Sequence, residues 1–171
     1  MKKLIVLLLL GASPAMAQDA TKNLIGNLSS TADYSIFVNA LNLSGVSQTL
    51  RTGGPYTVFA PNDFSYYKLA AGSLDKLLKA ENRDLLAKVM SYHVVAGKYT
   101  VANLKEAIAA GNGKTTLKTL GGSTLLATQI EGGILLTDEN GNSAKIVVAD
   151  QVAENGIFHG VDTVITPKTS L

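Results

Sequence analysis

Two histidines, His93 and His159, are the side chains in this sequence with the widest range of possible chemistry. Each could act as a general base, ligate a metal ion or form buried hydrogen bonds. A hydrolytic triad also needs an activated nucleophile and an orienting carboxylate. The chain has no cysteine and no Gly-x-Ser-x-Gly elbow, so the residues indicate no catalytic group. An unrecognised hydrolase stays open as an alternative.

A zinc site would have to be built largely from carboxylates, because the chain offers two histidines and no cysteine. Neither histidine has a second histidine four residues further on, which is the helical spacing of zinc ligands. His159 and Asp162 are close in sequence, but a strand would place them on opposite faces. The sequence therefore predicts no metal site.

The stretch GNGKTT at 111–116 ends like a phosphate-binding loop. A complete loop needs a glycine where Ile108 stands, a strand before it and a helix after it. Here a helical pattern precedes the stretch and a strand pattern follows it. A glycine-rich turn is therefore predicted, and not a nucleotide site.

The stretch DENGNSAKIVVAD at 138–150 begins like a calcium-binding loop. The position of the sharp-turn glycine is occupied by Ser143, and the position of the bidentate glutamate is occupied by Ala149. Asn140 and Gly141 lie between two apolar runs and both tolerate positive φ, so we predict a hairpin turn there.

The first seventeen residues have the layout of a secretory signal peptide. A Met-Lys-Lys start, of a kind typical of bacterial leaders, precedes an apolar run at 4–10, and Ala-Met-Ala at 15–17 is a small-x-small cleavage signal. The apolar run is too short to span a bilayer. We expect a signal peptide at 1–17, cleavage before Gln18, and export to the periplasm or the extracellular space.

Composition restricts the class of protein further. With the leader removed, 13 of the 15 basic residues remain against 13 acidic residues, so the mature chain carries no net charge. A nucleic-acid interface would need basic residues concentrated on one face, so none is predicted. No later run approaches the roughly 20 apolar residues of a transmembrane helix. We expect a short tail at 18–21, one domain at 22–168 and a second tail at 169–171.

Helical patterns dominate the first half of the chain. Apolar residues between Leu74 and Met90 repeat at three-, four- and seven-residue spacing, which predicts an amphipathic helix that can break near 81–82. Ser73 is predicted to cap this helix. A second helix is predicted to begin after Thr100 and to end at Gly111.

Strand patterns occur twice in the first half and dominate the second. The runs 55–61 and 91–97 are rich in β-branched and aromatic residues. Five more such runs follow Gly113 and are separated by turn residues, the last of them a strand at 156–166 that ends at Pro167. Helices followed by antiparallel strands predict an α+β domain.

Three stretches in register resemble the signatures of fasciclin-like domains. The first leads from a strand through Phe-Ala-Pro into a helix, the second is a Tyr-His segment, and the third is a strand closing on proline. The resemblance covers about residues 22–168, and its motif residues are Phe59, Ala60, Pro61, Asn62, Asp63, Phe64, Tyr92, His93, Asn155, Gly156, His159, Asp162 and Pro167.

This resemblance implies an α+β fold in which a wedge of antiparallel β-sheets is flanked by several α-helices. It implies an exported, non-enzymatic adhesion module that contacts a cell-surface or matrix protein or polysaccharide, without a cofactor or catalytic residues. A periplasmic carrier of a small apolar ligand is the alternative, and it predicts a closed apolar pocket between helices and sheet. The oligomeric state is left open.

The position of His159 favours a structural role. Alternation along the last strand places Ile157, His159 and Val161 on one face, and a histidine among aliphatic residues is typically a buried hydrogen-bonding group. One ring nitrogen can donate to a backbone carbonyl while the other accepts, which would link neighbouring strands. His93 is expected to act similarly, and we interpret the third signature as structural.

Contacts with a partner must come from exposed residues. In animal relatives of fasciclin-like domains, the Tyr-His segment and an Asp-Ile pair are implicated in receptor binding. Here the second pair reads Asp150-Gln151, which departs from that pattern, and Asp150 can equally be a strand-ending turn residue. Adjacent tyrosines on a helix cannot both face the core, and an exposed tyrosine suits an interface. The predicted binding residues are Tyr66, Tyr67, Tyr92, Asp150 and Gln151.

Overall fold

The computed structural model describes residues 19–168. The predicted signal peptide at 1–17, its cleavage point before Gln18 and the tail at 169–171 lie outside the described residues. In the described part of the chain, helices interrupted by two strands precede five further strands, and all seven strands form one sheet, which confirms the α+β class.

Residues 19–168 contain seven α-helices and two 3-10 helices, all of them before Gly111. The α-helices are α1 (Leu24–Ser29), α2 (Ser35–Ser44), α3 (Val46–Thr52), α4 (Asp63–Tyr66), α5 (Ser73–Leu77), α6 (Arg83–Tyr92) and α7 (Val101–Ala110), and the 3-10 helices are Ala32–Tyr34 and Ala80–Asn82. The predicted break near 81–82 is confirmed, because α5 and α6 are separated by the second 3-10 helix.

Two of the three predicted helix ends are confirmed. The Thr100 hydroxyl accepts a hydrogen bond from the backbone amide of Asn103 at 3.1 Å, and the Asn103 side chain accepts from the Thr100 amide at 3.2 Å. Gly111 ends α7. The prediction that Ser73 caps α5 is wrong. Gly72, with φ of 78°, precedes the helix, and Ser73 is the first helical residue.

The strands are β1 (Tyr56–Pro61), β2 (Val94–Ala96), β3 (Lys114–Lys118), β4 (Thr124–Ile130), β5 (Gly133–Thr137), β6 (Ser143–Ala153) and β7 (Gly156–Val161). Their order in the sheet is β2-β1-β7-β6-β5-β4-β3. All neighbours pair antiparallel except β1 and β7, which run parallel. The expectation of antiparallel sheets is therefore corrected to a mixed sheet. A parallel pair needs a long connection between its two strands, and here the chain between β1 and β7 supplies it.

Two strand boundaries also differ from the prediction. The run at 91–97 is helical as far as Tyr92, and β2 begins only at Val94. The last strand ends at Val161 and not near Pro167. At Asp162 the backbone amide still donates to the Lys145 carbonyl at 3.2 Å, but the Lys145 amide donates to the Asp162 carboxylate at 2.8 Å and not to a backbone carbonyl.

Strand β6 joins two parts of the sheet and gives it a bend. Its first residues, 143–145, pair with β5, and the remainder pairs with β7. The register along β7 shifts between Ile146 and Val148 and again between Val148 and Gln151. Such β-bulges bend a strand and aim side chains away from regular positions.

The core consists of two clusters on opposite sides of the β1–β7 pair. One cluster packs the helices against Val58 and Phe158, and the other packs Phe59 and Val161 against α7 and the hairpins. Every residue of β7 is therefore buried. This burial accounts for the near-continuous apolar character of the strand, which is typical of strands covered on both faces.

Candidate functional site

His159 is fully buried, and both of its ring nitrogens bind backbone groups. Nε2 lies 2.8 Å from the Tyr99 carbonyl oxygen, and Nδ1 lies 3.1 Å from the backbone nitrogen of Asp150. Because a carbonyl can only accept, Nε2–H donates to Tyr99 and Nδ1 accepts from Asp150. Its ring stacks on Phe59, with 5.7 Å between the ring centres. The predicted burial of His159 is confirmed, and its bonds join β7 to β6 and to the segment before α7.

Burial lowers the pKa of His159, although the hydrogen bond to Tyr99 and the negative charge of Asp150 act in the opposite direction. The neutral ring matches the hydrogen bonds, because Nδ1 must stay unprotonated to accept from an amide. With both nitrogens occupied, the ring has no atom free to take a proton from a substrate or to ligate a metal ion.

His93 is the second buried cross-link. Nδ1 lies 2.8 Å from the Val89 carbonyl oxygen, one turn earlier in α6, and Nε2 lies 3.4 Å from the backbone nitrogen of Ile165. The first nitrogen therefore donates and the second accepts. Burial lowers the pKa of His93 to about 4, against smaller opposing effects of the Val89 hydrogen bond and of Asp138. The ring connects the end of α6 to the segment that follows β7.

Tyr92 does not belong to a binding surface, contrary to the prediction. Its side chain is fully buried, and its hydroxyl donates to the Thr124 carbonyl at 2.6 Å and accepts from the Glu139 amide at 3.2 Å. Burial raises the pKa of Tyr92 to about 12. The Tyr-His segment is therefore internal, because the last turn of α6 packs against the hairpin strands.

The two adjacent tyrosines face opposite ways, which agrees with the expectation that they cannot both face the core. Tyr66 is buried among the helices, and its hydroxyl hydrogen-bonds to no other group of residues 19–168. Burial raises the pKa of that hydroxyl. The side chain of Tyr67 is 80% exposed. Tyr66 is therefore removed from the predicted binding set, and Tyr67 stays in it.

Phe64 was expected to be structural, but its side chain is 75% exposed. Its ring centre lies 6.2 Å from that of Tyr67, and the two ring planes are inclined by 60°. Residues three apart on a helix lie on the same side, so the sequence contained a signal for this pair. We call Phe64 and Tyr67 the aromatic pair.

The polar residues of the first signature hold the aromatic pair in place. Asn62 Oδ1 accepts from the Ser65 amide at 3.0 Å and from the Ser65 hydroxyl at 2.8 Å, so it caps α4. Asp63 accepts from the Ile36 amide at 2.9 Å and from the Ser35 hydroxyl at 2.6 Å, so it caps α2. These bonds fix α4 against β1 and α2, and they leave the two rings pointing outward.

Asp150 and Gln151 lie on the bulged part of β6, away from the aromatic pair. Asp150 has φ of 56°. Its carboxylate accepts a hydrogen bond at 2.8 Å from the amide of Val101, which is the first residue of α7. Its side chain is 44% exposed. Gln151 lies on β6 and pairs with Phe158 near the start of β7. The segment that follows α4 lies at the other end of β7, where Lys68 donates to the Asp162 carbonyl. The structure therefore does not join the predicted residues into one patch.

The remaining residues of the third signature are structural. Asn155 accepts from the Leu24 amide at 2.9 Å and donates to the carbonyls of Leu50 and Gly53 at 2.7 and 2.8 Å. A Cβ on Gly156 would overlap the carbonyl oxygen of Tyr56, so the close approach of β1 and β7 requires glycine. Asn155 and Gly156 thus connect β7 to the helices and to β1.

The loop that resembles a calcium site is held by its own first residue. Asp138 is buried, and Oδ1 accepts from the amides of Asn140 and Asn142 at 2.9 and 2.8 Å. Oδ2 accepts from the Thr166 amide at 3.0 Å. The predicted turn is confirmed, with Gly141 at φ of 85°. No group of three or more His, Asp or Glu side chains suited to a metal ion occurs between residues 19 and 168.

Comparison with known proteins gives consistent similarities. The fasciclin domain matches residues 32–167. Protein sll1483 of Synechocystis sp. is 32% identical over 151 residues, which cover 88% of this chain and 77% of that protein. Transforming growth factor-beta-induced protein ig-h3 of Sus scrofa is 30% identical over 138 residues, 80% of this chain but 18% of the pig protein.

A solved structure shares the fold. It is a FAS1 domain pair from the insect cell adhesion molecule Fasciclin I, and it superposes with a TM-score of 0.73 at 19% identity. The match covers 87% of this chain and 51% of that one, so the chain spans about half of the domain pair.

Proposed function

Because this chain belongs to the fasciclin domain family, we propose that it is an adhesion-type module that attaches to a cell-surface or matrix partner through Phe64 and Tyr67. The partner is a protein or a polysaccharide. The family supports the adhesion class, since the solved relative comes from a cell adhesion molecule. The aromatic pair supports the choice of surface.

The exposure of the aromatic pair is the observation that carries this proposal. Large apolar side chains are normally buried, and an aromatic residue can bury roughly 150–250 Å² of surface. Two such rings, with centres 6.2 Å apart at α4 and its C-terminal end, present an exposed aromatic area that a partner can cover. Aromatic residues are also enriched among the few side chains that carry most of the energy of an interface.

The anchoring of α4 adds to the argument. Asn62 and Asp63 cap two different helices, so the pair sits on a fixed element and not on a free loop. A surface that is already ordered loses less conformational entropy when it binds. Such a contact needs no catalytic group, and the buried histidines have no ring nitrogen free to act as one.

We propose that the module is exported, to the periplasm or to the extracellular space. The leader-like residues at 1–17 support export. Within residues 19–168, no helix is long and apolar enough to cross a bilayer. Since the mature chain carries no net charge, attachment should depend on specific side chains and only mildly on salt.

The test is an attachment assay on cell-envelope and matrix material from the source organism. The variant is Phe64→Ser with Tyr67→Ser, and the matched control is Leu43→Ser, another apolar residue that is 45% exposed but lies on α2. Loss of two interface aromatics at about 1–2 kcal/mol each should weaken attachment on the order of 30- to 1,000-fold. The control should attach like the wild type.

Melting temperatures must agree among the three proteins for this comparison to be valid. Attachment that persists in the double variant, with the fold intact, would show that the aromatic pair is not the contact surface. Treating the material with a protease or with periodate distinguishes a protein partner from a polysaccharide.

A further inference from the structure

A groove of about 430 Å³ lies between the α1 region and the bulged part of β6, on the other side of β7 from His159. Its apolar wall is formed by Phe158, Tyr34 and Val148. Phe158 and Tyr34 pack edge to face, with 5.6 Å between ring centres and 81° between ring planes. The volume lies in the range of roughly 300–1,000 Å³ that is typical of small-molecule sites.

Most of the side-chain hydrogen-bond donors around the groove are already in use. The Ser30 hydroxyl donates to the Gly26 carbonyl at 2.8 Å, and the Thr31 hydroxyl donates to the Asn27 carbonyl at 3.2 Å. Asn27 Nδ2 donates to the Asp19 carbonyl at 3.0 Å, and Gln151 Nε2 donates to the Ala149 carbonyl at 2.8 Å. The side-chain acceptors that stay available are Oδ1 of Asn27, Oε1 of Gln151 and the carboxylate of Asp33, and the Tyr34 hydroxyl remains as a donor.

The charge around the groove points the same way. Lys22 lies 3.7 Å from Asp19, so these two charges offset each other. Asp33 forms no ion pair with any Lys or Arg of residues 19–168 and leaves one negative charge. The hydroxyl of Tyr34 stays protonated, because burial, assisted by the charge of Asp33, raises its pKa. Among the residues that line the groove, an anion would find a donor in the Tyr34 hydroxyl, but the one cation, Lys22, lies beside Asp19, and Asp33 leaves an excess of one negative charge.

We propose that this groove binds a small organic amine in its ammonium form, with its apolar body against Phe158, Tyr34 and Val148. The ammonium group donates to Asp33 and to the amide oxygens of Asn27 and Gln151. The aromatic wall adds favourable contact with a cation. The groove differs from the closed apolar pocket expected for a carrier, because the Asp33 carboxylate at its edge favours a positively charged ligand. It does not depend on the aromatic pair.

The test measures binding of three probes of similar size by calorimetry at neutral pH and low salt. The probes are 2-phenylethylamine, the neutral 2-phenylethanol and the anion 3-phenylpropionate. The amine is expected to bind at least about tenfold more tightly than the anion, because only the amine supplies donors and a positive charge. Equal binding of amine and anion, or no binding of the amine, overturns the proposal.

Two variants locate the site. Asp33→Asn should weaken amine binding about fivefold. Gln151→Lys should also weaken it, because the change removes one acceptor and places a competing ammonium beside Asn27 and Asp33. Asp75→Asn, an acidic residue on α5 away from the groove, is the matched control and should bind normally. If Asp33→Asn and Asp75→Asn bind the amine with equal affinity, Asp33 does not hold the ammonium group and the proposed site is refuted. The Phe64→Ser, Tyr67→Ser protein should keep amine binding, which separates this inference from the adhesion proposal.

Discussion

Because the ring of His93 is buried, the free energy of unfolding of this domain should decrease as the pH is lowered from 7 to 5, a range in which carboxylates are still ionised. In the unfolded chain the ring has the ordinary pKa of 6.5, and in the folded chain burial lowers the pKa to about 4. Between these values the unfolded state binds the proton more readily. The free energy of unfolding is therefore highest above pH 6.5 and decreases as the pH falls toward 4.

The size of the effect follows from the two pKa values. Each pH unit within the window costs about 1.4 kcal/mol per histidine, so His93 alone should lower the free energy of unfolding by about 2 kcal/mol between pH 7 and pH 5. His159 acts in the same direction, because burial also lowers its pKa. Asp19 and Glu139 have lowered pKa values from hydrogen bonds and contribute mainly below pH 5.

Urea unfolding followed by circular dichroism at pH 7, 6 and 5 measures this dependence. His93→Gln should be less stable at pH 7 by about 1–3 kcal/mol, because it disturbs the bonds to Val89 and Ile165. Its stability should also depend less on pH than that of the wild type. His159→Gln is the matched control and should retain the contribution of His93.

Two results would refute this reasoning. One is a wild-type free energy of unfolding that is constant within about 0.5 kcal/mol between pH 7 and pH 5, since a buried neutral histidine requires a slope. The other is a His93→Gln protein with the full wild-type slope, which would assign the effect to other groups.

Four further predictions can be tested. His159→Ala should lower stability by about 1–3 kcal/mol by stranding the Tyr99 carbonyl and the Asp150 amide, yet surface attachment by folded protein should persist; a stable but inactive variant would contradict the structural role. Gly160→Ala should cost about 1–3 kcal/mol in chemical denaturation, because its Cβ would overlap the Tyr34 hydroxyl, and Tyr34→Phe should recover part of the loss. Asp63→Ala should lower the stability by about 1–2 kcal/mol through loss of the α2 cap, and a melting temperature equal to wild type would exclude that role. Mass spectrometry of exported protein should find Gln18 at the N-terminus, and retention of residues 1–17 would refute cleavage.

Features that depend on neighbouring residues were predictable. Thr100 and Gly111 delimit α7 because capping chemistry is local, and Gly141 forms its turn for the same reason. Period-two patterns located the hairpin strands β3 to β6 to within a few residues. The family signatures then identified the fold, since three motifs in register constrain the whole chain.

Features that depend on distant residues were not predictable from local patterns. Nothing near Tyr56–Pro61 indicates that β1 pairs with β7 in parallel, because that contact closes a loop of almost the whole domain. The Asp162 carboxylate accepts from the Lys145 amide, a residue 17 positions earlier that only the sheet brings next to it. Ser73 fails as a cap because the chain enters α5 through a left-handed glycine.

The candidate site divides in the same way. The sequence by itself indicated that the histidines would be buried hydrogen-bonding groups and that Tyr66 and Tyr67 could not both face the core, because alternation and helical spacing set which side chains share a face. Only the tertiary structure decided that Tyr92 is covered by the hairpin strands, that Phe64 joins Tyr67 at the surface, and that a groove forms beside β6. Exposure is a property of what packs over a residue, and in this domain the covering elements come from distant parts of the chain.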